Sequence, residues 1–239
     1  MKALMNQIRL QKEIYLIGFG IMGGLFAFGT ILHEIIIMAD GAAGEVFCMG
    51  SMMSVAGIGA AMLFGVPAHM VNIFNYAISM GRTRRSFFPA YTVGIFFAAM
   101  VLETGAVLLH AAERARLRLM YPHLGIDDPA GSVLHWNILL PIALLATTVG
   151  VLCGTLIIKF GKMALWILWT LWVAVCIGMP RGIETLLEHP DNLMVQMVFC
   201  GVKWLYSLTA AGLAALAAAV CMILLAVSYL LLRRQQVNL

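Results

Sequence analysis

Residues Asn72 to Phe88 read NIFNYAISMGRTRRSFF, a mildly amphipathic stretch with a basic cluster, set between two long apolar runs. Carrying Arg82, Arg84 and Arg85 through hydrocarbon is costly, so the segment predicts a loop held on the cytoplasmic side with a membrane span on either side of it. Such spans are helical here, because in lipid each segment must satisfy its own backbone N–H and C=O groups.

Composition agrees with that reading. Hydrophobic residues make up 62% and charged residues 11% of the chain, against about 25% charged in a soluble domain. The mean hydropathy of +0.96 points the same way. The expected fold class is therefore all-α: one polytopic membrane helical bundle over residues 1–239, with no extramembrane domain.

Six spans fit the apolar runs: Ile14 to Met38, Val46 to Val66, Phe88 to Ala111, Trp136 to Ile158, Met163 to Met179 and Trp204 to Leu232. The first follows Lys2, Arg9 and Lys12 as a signal peptide would, but it outruns the roughly 7 to 15 residues of a signal core and reads as a retained helix. An even count puts both termini on one face. With cytoplasmic termini, Lys2, Arg9, Lys12, Arg82, Arg84, Arg85, Lys159, Lys162, Arg233 and Arg234 lie inside. Arg114, Arg116, Arg118, Arg181 and Lys203 fall outside, and the ERARLR segment runs against the trend.

Two flanking segments are partly apolar without being able to span. Residues 1–13 pattern as an interfacial elbow helix, with a frayed basic tail as the alternative. Residues 180–203, broken by Pro190, pattern as a semi-inserted outer helical hairpin before the last span.

Soluble-enzyme motifs are missing. The sequence has no GxxxxGK[ST] loop to cradle a nucleotide, and His33-Glu34 is followed by Ile35, Ile36 and Ile37 rather than by the second imidazole of HExxH. Gly18, Gly20 and Gly23 spell GxGxxG inside a span, where close helix approach is the better account, and with Gly24, Gly57, Gly59 and Ala60 they mark a packing or dimer face. Cys48, Cys153, Cys176, Cys200 and Cys221 lack CxxC spacing and read as small hydrophobes, so no metal site is expected. His110, His123, His135 and His189 offer no helical ligand pair for an intramembrane enzyme. Trp166, Trp169 and Trp172 form a lipid-facing or packing stripe.

Glu103 stands well inside the third span, where lipid exposure of a charged form would cost about 2.5 kcal/mol or more. It is expected to face protein or water: protonated, paired with a cation such as Lys203 or Arg181, or lining a substrate pathway.

Between Pro67 and Pro89 the pattern predicts a short helix stopped by Gly81, with the arginines at its C-terminal end and Phe74 and Tyr76 available to a protein groove. A plain positive-inside loop is the alternative. The segment resembles the first cytoplasmic loop of bacterial ABC-2 type ABC transporter permeases, especially the small six-span subunits of Gram-positive bacteria, which often carry an FPFALSxGxxRRxFF-like pattern. Ala77, Ser79, Gly81, Arg84, Arg85, Phe87 and Phe88 match, while Asn72 and Asn75 depart.

That resemblance implies a transport subunit that is not itself an enzyme, in a bacterial cytoplasmic membrane with both termini cytoplasmic. Residues 70–86 would be a coupling helix docked on a cytosolic ABC ATPase through Asn72, Phe74, Tyr76, Ser79, Gly81, Arg82, Arg84 and Arg85. The chain itself would carry no cofactor; ATP and Mg would sit on the partner. A second permease chain, identical or paralogous, and membrane lipid complete the implied partners, with no nucleic acid. The implied cargo is an exported amphipathic or antimicrobial peptide. On the residues alone, a proton-coupled carrier using Glu103 stays open.

Overall fold

The computed structural model describes residues 12–40, 46–79, 81, 83–174 and 209–233, with isolated helical positions at 196, 200, 203 and 207. Among the described residues five helices are long and apolar enough to cross a bilayer: Lys12–Ala39, Met49–Ser79, Arg84–Met120, Ile138–Phe160 and Gly212–Arg233. The chain is a multi-pass, all-α membrane protein. The expected fifth span is described only as the shorter apolar helix Lys162–Ala174. Of the expected elbow only Lys12 and Glu13 are described, and they open the first span. Arg82 and almost all of the expected outer hairpin, residues 180–203, lie outside the described residues.

In chain order the elements are α1 (Lys12–Asp40), β1 (Val46–Phe47), α2 (Met49–Ala60), a π turn (Ala61–Gly65), α3 (Val66–Ser79), α4 (Arg84–Met120), β2 (Ile126–Asp127), α5 (Pro129–Val133), α6 (Trp136–Phe160), α7 (Lys162–Ala174) and α8 (Ala210–Arg233). Two compact units divide the chain, Met1–Gly154 and Thr155–Leu239.

In the first unit α1 packs along α2, and both touch α4. Small residues let the backbones close up: a Cβ on Gly29 would lie 2.7 Å from the Met49 carbonyl oxygen, and one on Gly18 2.7 Å from the Leu102 side chain. Gly57 is likewise filled by Leu25, whereas Gly20, Gly23, Gly24 and Gly59 meet nothing within 4 Å. Packing within the chain accounts for Gly18 and Gly57, while Gly20, Gly23, Gly24 and Gly59 face open space.

The expected break after Val66 does not occur. α2, the π turn and α3 run as one helical path, and the widened turn sits just before Pro67, which lacks an N–H and whose ring would strike the Leu63 carbonyl in a regular helix. Pro89 likewise lies inside α4, near its start, where few intrahelical bonds are lost. Thr83 caps α4 with extended backbone, its side chain accepting from the Ser86 N–H at 3.4 Å. The loop expected between Pro67 and Pro89 thus shrinks to the few residues around Gly81.

The third span is also longer than expected. At 37 residues α4 is about 55 Å long, well beyond a hydrocarbon core of about 30 Å. Its last turns take up the ERARLR segment that the sequence assigns to an outer loop: Glu113, Arg114 and Arg116 find partners on neighbouring elements, while Arg118 stays exposed.

In the second unit Gly161, at φ +63°, closes α6 with its N–H donated to the Ile157 carbonyl at 2.8 Å and allows the turn into α7. Trp166, Trp169 and Trp172 stand exposed on α7. In α8 the Ser228 hydroxyl donates to the Leu224 carbonyl at 2.7 Å, which satisfies it within an apolar helix.

Candidate functional site

The α3–α4 hairpin carries polar features at its tip and at the far end of α4. At the tip, Gly81 adopts φ +78° and donates its N–H to the Ile78 carbonyl at 2.9 Å, the left-handed stop expected of it. Asn72, Tyr76, Ser79, Gly81 and Arg85 are exposed there, and the Ser79 hydroxyl is tied to the Tyr76 carbonyl at 2.8 Å. Arg84 is half-buried.

Two of the expected docking features are placed differently. Phe74 is buried inside the hairpin, its ring edge-on to Phe87 at 5.5 Å, so it packs the chain's own helices rather than facing outward. Arg84 and Arg85 open α4 instead of ending a coupling helix. Cations at a helix N-terminus oppose the dipole by about 0.3–1 kcal/mol each, a cost offset by the apolar packing that follows.

That packing is an aromatic ladder. Phe87 stacks on Tyr91 at 5.4 Å, and Tyr91 stacks on His69 at 5.8 Å. The Tyr91 hydroxyl donates to the Val66 carbonyl at 3.0 Å, so its lone pairs face His69 Nδ1 at 3.2 Å and favour the tautomer protonated there. The ladder joins α3 to α4 into one stiff arm.

At the other end of α4, Glu113 is buried against the N-terminus of α2. Its carboxylate accepts the backbone N–H groups of Gly50 at 2.8 Å and Ser51 at 2.7 Å, and the Ser51 hydroxyl. An anion at a helix N-terminus is doubly favoured, by free N–H donors and by the dipole.

Around Glu113 lie further polar pairs. Arg116 Nη2 stands 3.1 Å from Glu34 Oε1, and the Tyr121 hydroxyl donates to Glu34 Oε2 at 2.8 Å. His110 Nε2 and Arg114 Nη1 approach Asp128 Oδ2 at 3.2 and 3.5 Å. Cys48 is buried beside them, and burial, with the Asp128 and Glu113 carboxylates adding to it, pushes its thiol up to about 12. Ligand-capable atoms of Cys48, His110 and Asp128 all lie within 4.8 Å of one another. His33, buried nearby on α1, sets its ring edge-on to Phe47 at 5.7 Å.

No protein-family model matches the chain, and no curated protein or solved structure matches it.

Glu103, midway along α4, is buried, and its Oε2 has no hydrogen-bond partner among the described residues. Arg181, one expected partner, lies outside the described residues, and Lys203 belongs to the second unit. A cavity of about 360 Å³ opens in the first unit between Gly18, Leu25, Gly57, Met62, His69 and Leu102. Leu102, not its neighbour Glu103, lines it, and its walls are almost wholly apolar.

Sequence reading missed the cluster around Glu113. His110, Glu113 and Arg114 share one face of α4, but the cluster's other members Glu34, Cys48, Gly50, Ser51 and Asp128 lie elsewhere in the chain, and the main hint was an ERARLR segment whose charges defied the positive-inside trend. His123 and His135, weighed with His110 as possible ligands, are exposed, and His189 lies outside the described residues.

Proposed function

We propose that this chain is the membrane permease subunit of an ATP-driven transporter, moved by a separate cytosolic ATPase that grips the Gly81 tip of the α3–α4 hairpin. The observation that carries the reading is mechanical. α3 and α4 close at Gly81 into a hairpin, and a ladder of buried rings, Phe74, Phe87 and Tyr91, stiffens its two helices against each other. A stiff arm that ends in exposed Tyr76 and Arg85 suits the transmission of force from a partner better than a slack loop would. The resemblance of residues 72–88 to ABC-2 permease loops supports the same assignment.

In this reading the coupling element is the end of the second span itself, not a separate helix. Nucleotide closure of two ATPase subunits would push two such arms and shift the bundle between alternative packings. The open faces of Gly20, Gly23 and Gly24 on α1 suit close approach of a second permease chain. An exported amphipathic peptide as cargo, and a bacterial cytoplasmic membrane with both termini inside, rest on the resemblance.

Co-purification tests it. The intact chain, tagged and purified from its native membrane, should retain a nucleotide-hydrolysing partner, while Tyr76→Ala combined with Arg85→Glu should release that partner without loss of the folded permease. Retention by the double variant would refute docking at the tip. A proton-coupled carrier is the second reading, favoured by the buried, incompletely bonded carboxyl of Glu103.

A further inference from the structure

Cys48, His110 and Asp128 come from three separate parts of the chain, and the fold presents them together. The parallel pairing of β1 with β2, Val46 opposite Ile126 and Phe47 opposite Asp127, brings the next residue of each strand, Cys48 and Asp128, side by side. His110 lies one turn before Glu113 and Arg114 on the same face of α4. Asp128 is itself oriented: Oδ1 accepts the Gly131 N–H at 2.8 Å as the cap of α5, while Oδ2 faces His110 Nε2 at 3.2 Å.

We propose that Cys48, His110 and Asp128 form a binding site for a divalent transition-metal ion of the zinc class. With metal–ligand bonds near 2.0–2.3 Å, tetrahedral zinc holds its nitrogen, oxygen and sulfur ligands about 3.3–3.6 Å apart. The imidazole–carboxylate pair, at 3.2 Å, stands just inside that separation, and a contraction of up to about 1.2 Å brings in the sulfur. A thiolate, an imidazole and a carboxylate suit zinc, whereas calcium and magnesium prefer sites made of oxygen.

Charge supports the assignment. Binding releases the thiol proton, and the thiolate and the Asp128 carboxylate then neutralise the dication. Arg114 Nη1, 3.5 Å from the same Asp128 Oδ2, must yield that oxygen to the ion, which its exposed side chain allows. Val46 and Leu117, flanked by Leu124 and Ile126, give the site an apolar cover. Three protein ligands leave a fourth position for water or for a donor from another molecule. The ion would clamp the start of α2 and the segment around β2 onto α4. This inference is independent of the transport reading, since it concerns the opposite end of α4 and needs no ATPase.

Cobalt titration of the full-length chain in detergent tests it. Wild-type protein should take up one Co²⁺ per chain with a cobalt–thiolate charge-transfer band that Zn²⁺ then abolishes. Cys48→Ser should lose the band, and Asp128→Asn should weaken affinity by more than about a hundredfold, beyond the 10–100-fold typical of outer-shell partners. Should Cys48→Ser fail to fold, the variant with Cys153, Cys176, Cys200 and Cys221 replaced by Ala must keep the band. No band in the wild type, a band surviving in Cys48→Ser, or a band lost when only the other four cysteines are replaced overturns the proposal.

Discussion

Glu113 accepts the backbone N–H of Ser51 at 2.7 Å, a contact that ties the end of α4 to the start of a helix 62 residues earlier in the chain. It does by a distant side chain what a local N-cap does elsewhere: Cys48, the residue at the cap position of α2, makes no side-chain capping bond. Removing the carboxylate would strand two buried N–H donors, at about 1–3 kcal/mol for each group left unsatisfied. Glu113→Ala should therefore lower the thermal midpoint in detergent sharply, followed by circular dichroism. Glu113→Gln, which keeps an acceptor, should fall between. An unchanged midpoint in Glu113→Ala would mean that the contact does not organise this end of the protein.

The hairpin ladder predicts an order among its own variants. Phe87→Ala empties a fully buried position between Phe74 and Tyr91 and should cost about 3–5 kcal/mol. Tyr91→Phe keeps the stack but strips the donor from the Val66 carbonyl, at about 1–3 kcal/mol. Limited proteolysis at the tip and the thermal midpoint should rank them in that order. Equal effects would show that the rings do not act as the brace.

The Tyr121–Glu34 bond gives the far end of α4 an alkaline limit. The hydrogen bond to Glu34, then burial and the Glu34 charge, raise the Tyr121 phenol above its ordinary value of 10.0. A folded-state value above the unfolded one means that the bond's contribution is fully present below about pH 10 and is lost as pH rises through the folded-state value. Tyr121→Phe should lower the midpoint at neutral pH and flatten the decline above pH 10 that the wild type shows. A wild type and variant that decline in parallel would assign the alkaline limit to another group.

How much of this was legible in the sequence differs between the two ends of α4. The membrane class, the spans around Phe88 to Ala111 and the stop at Gly81 follow from local rules, since apolar run length and a glycine in the left-handed region need no knowledge of neighbours. Pro67 and Pro89 misled, because a proline reads locally as a helix boundary while a π turn and a position near a helix start both accommodate it. Phe74 looked like a docking residue because an aromatic in a polar segment suggests exposure, yet Phe87 lies thirteen residues on and across a tight turn. The Glu113 cluster was invisible for a different reason. Its partners Gly50, Ser51, Cys48 and Asp128 are fixed by how α2, α4 and the β1–β2 pair meet, and no spacing in the chain encodes that meeting.

Glu103 separates the two functional readings. Its Oε2 is buried without a hydrogen-bond partner among the described residues, and an unpaired buried polar group costs about 1–3 kcal/mol by mutational measures. If the residue serves no proton path, relieving that cost should stabilise the protein. Glu103→Met, close in length and volume and fully apolar, should then raise the thermal midpoint, and Glu103→Gln, which still buries an amide, should change it less. ATP-driven transport by the permease with its partner should survive both. The carrier reading demands the reverse: vesicles holding this chain alone should take up solute under a proton gradient, and Glu103→Gln should abolish that uptake whatever it does to the midpoint. Because the amide preserves shape while removing the exchangeable acid, uptake that persists in Glu103→Gln excludes Glu103 as the proton carrier, and uptake that vanishes with the fold intact displaces the motor-driven proposal.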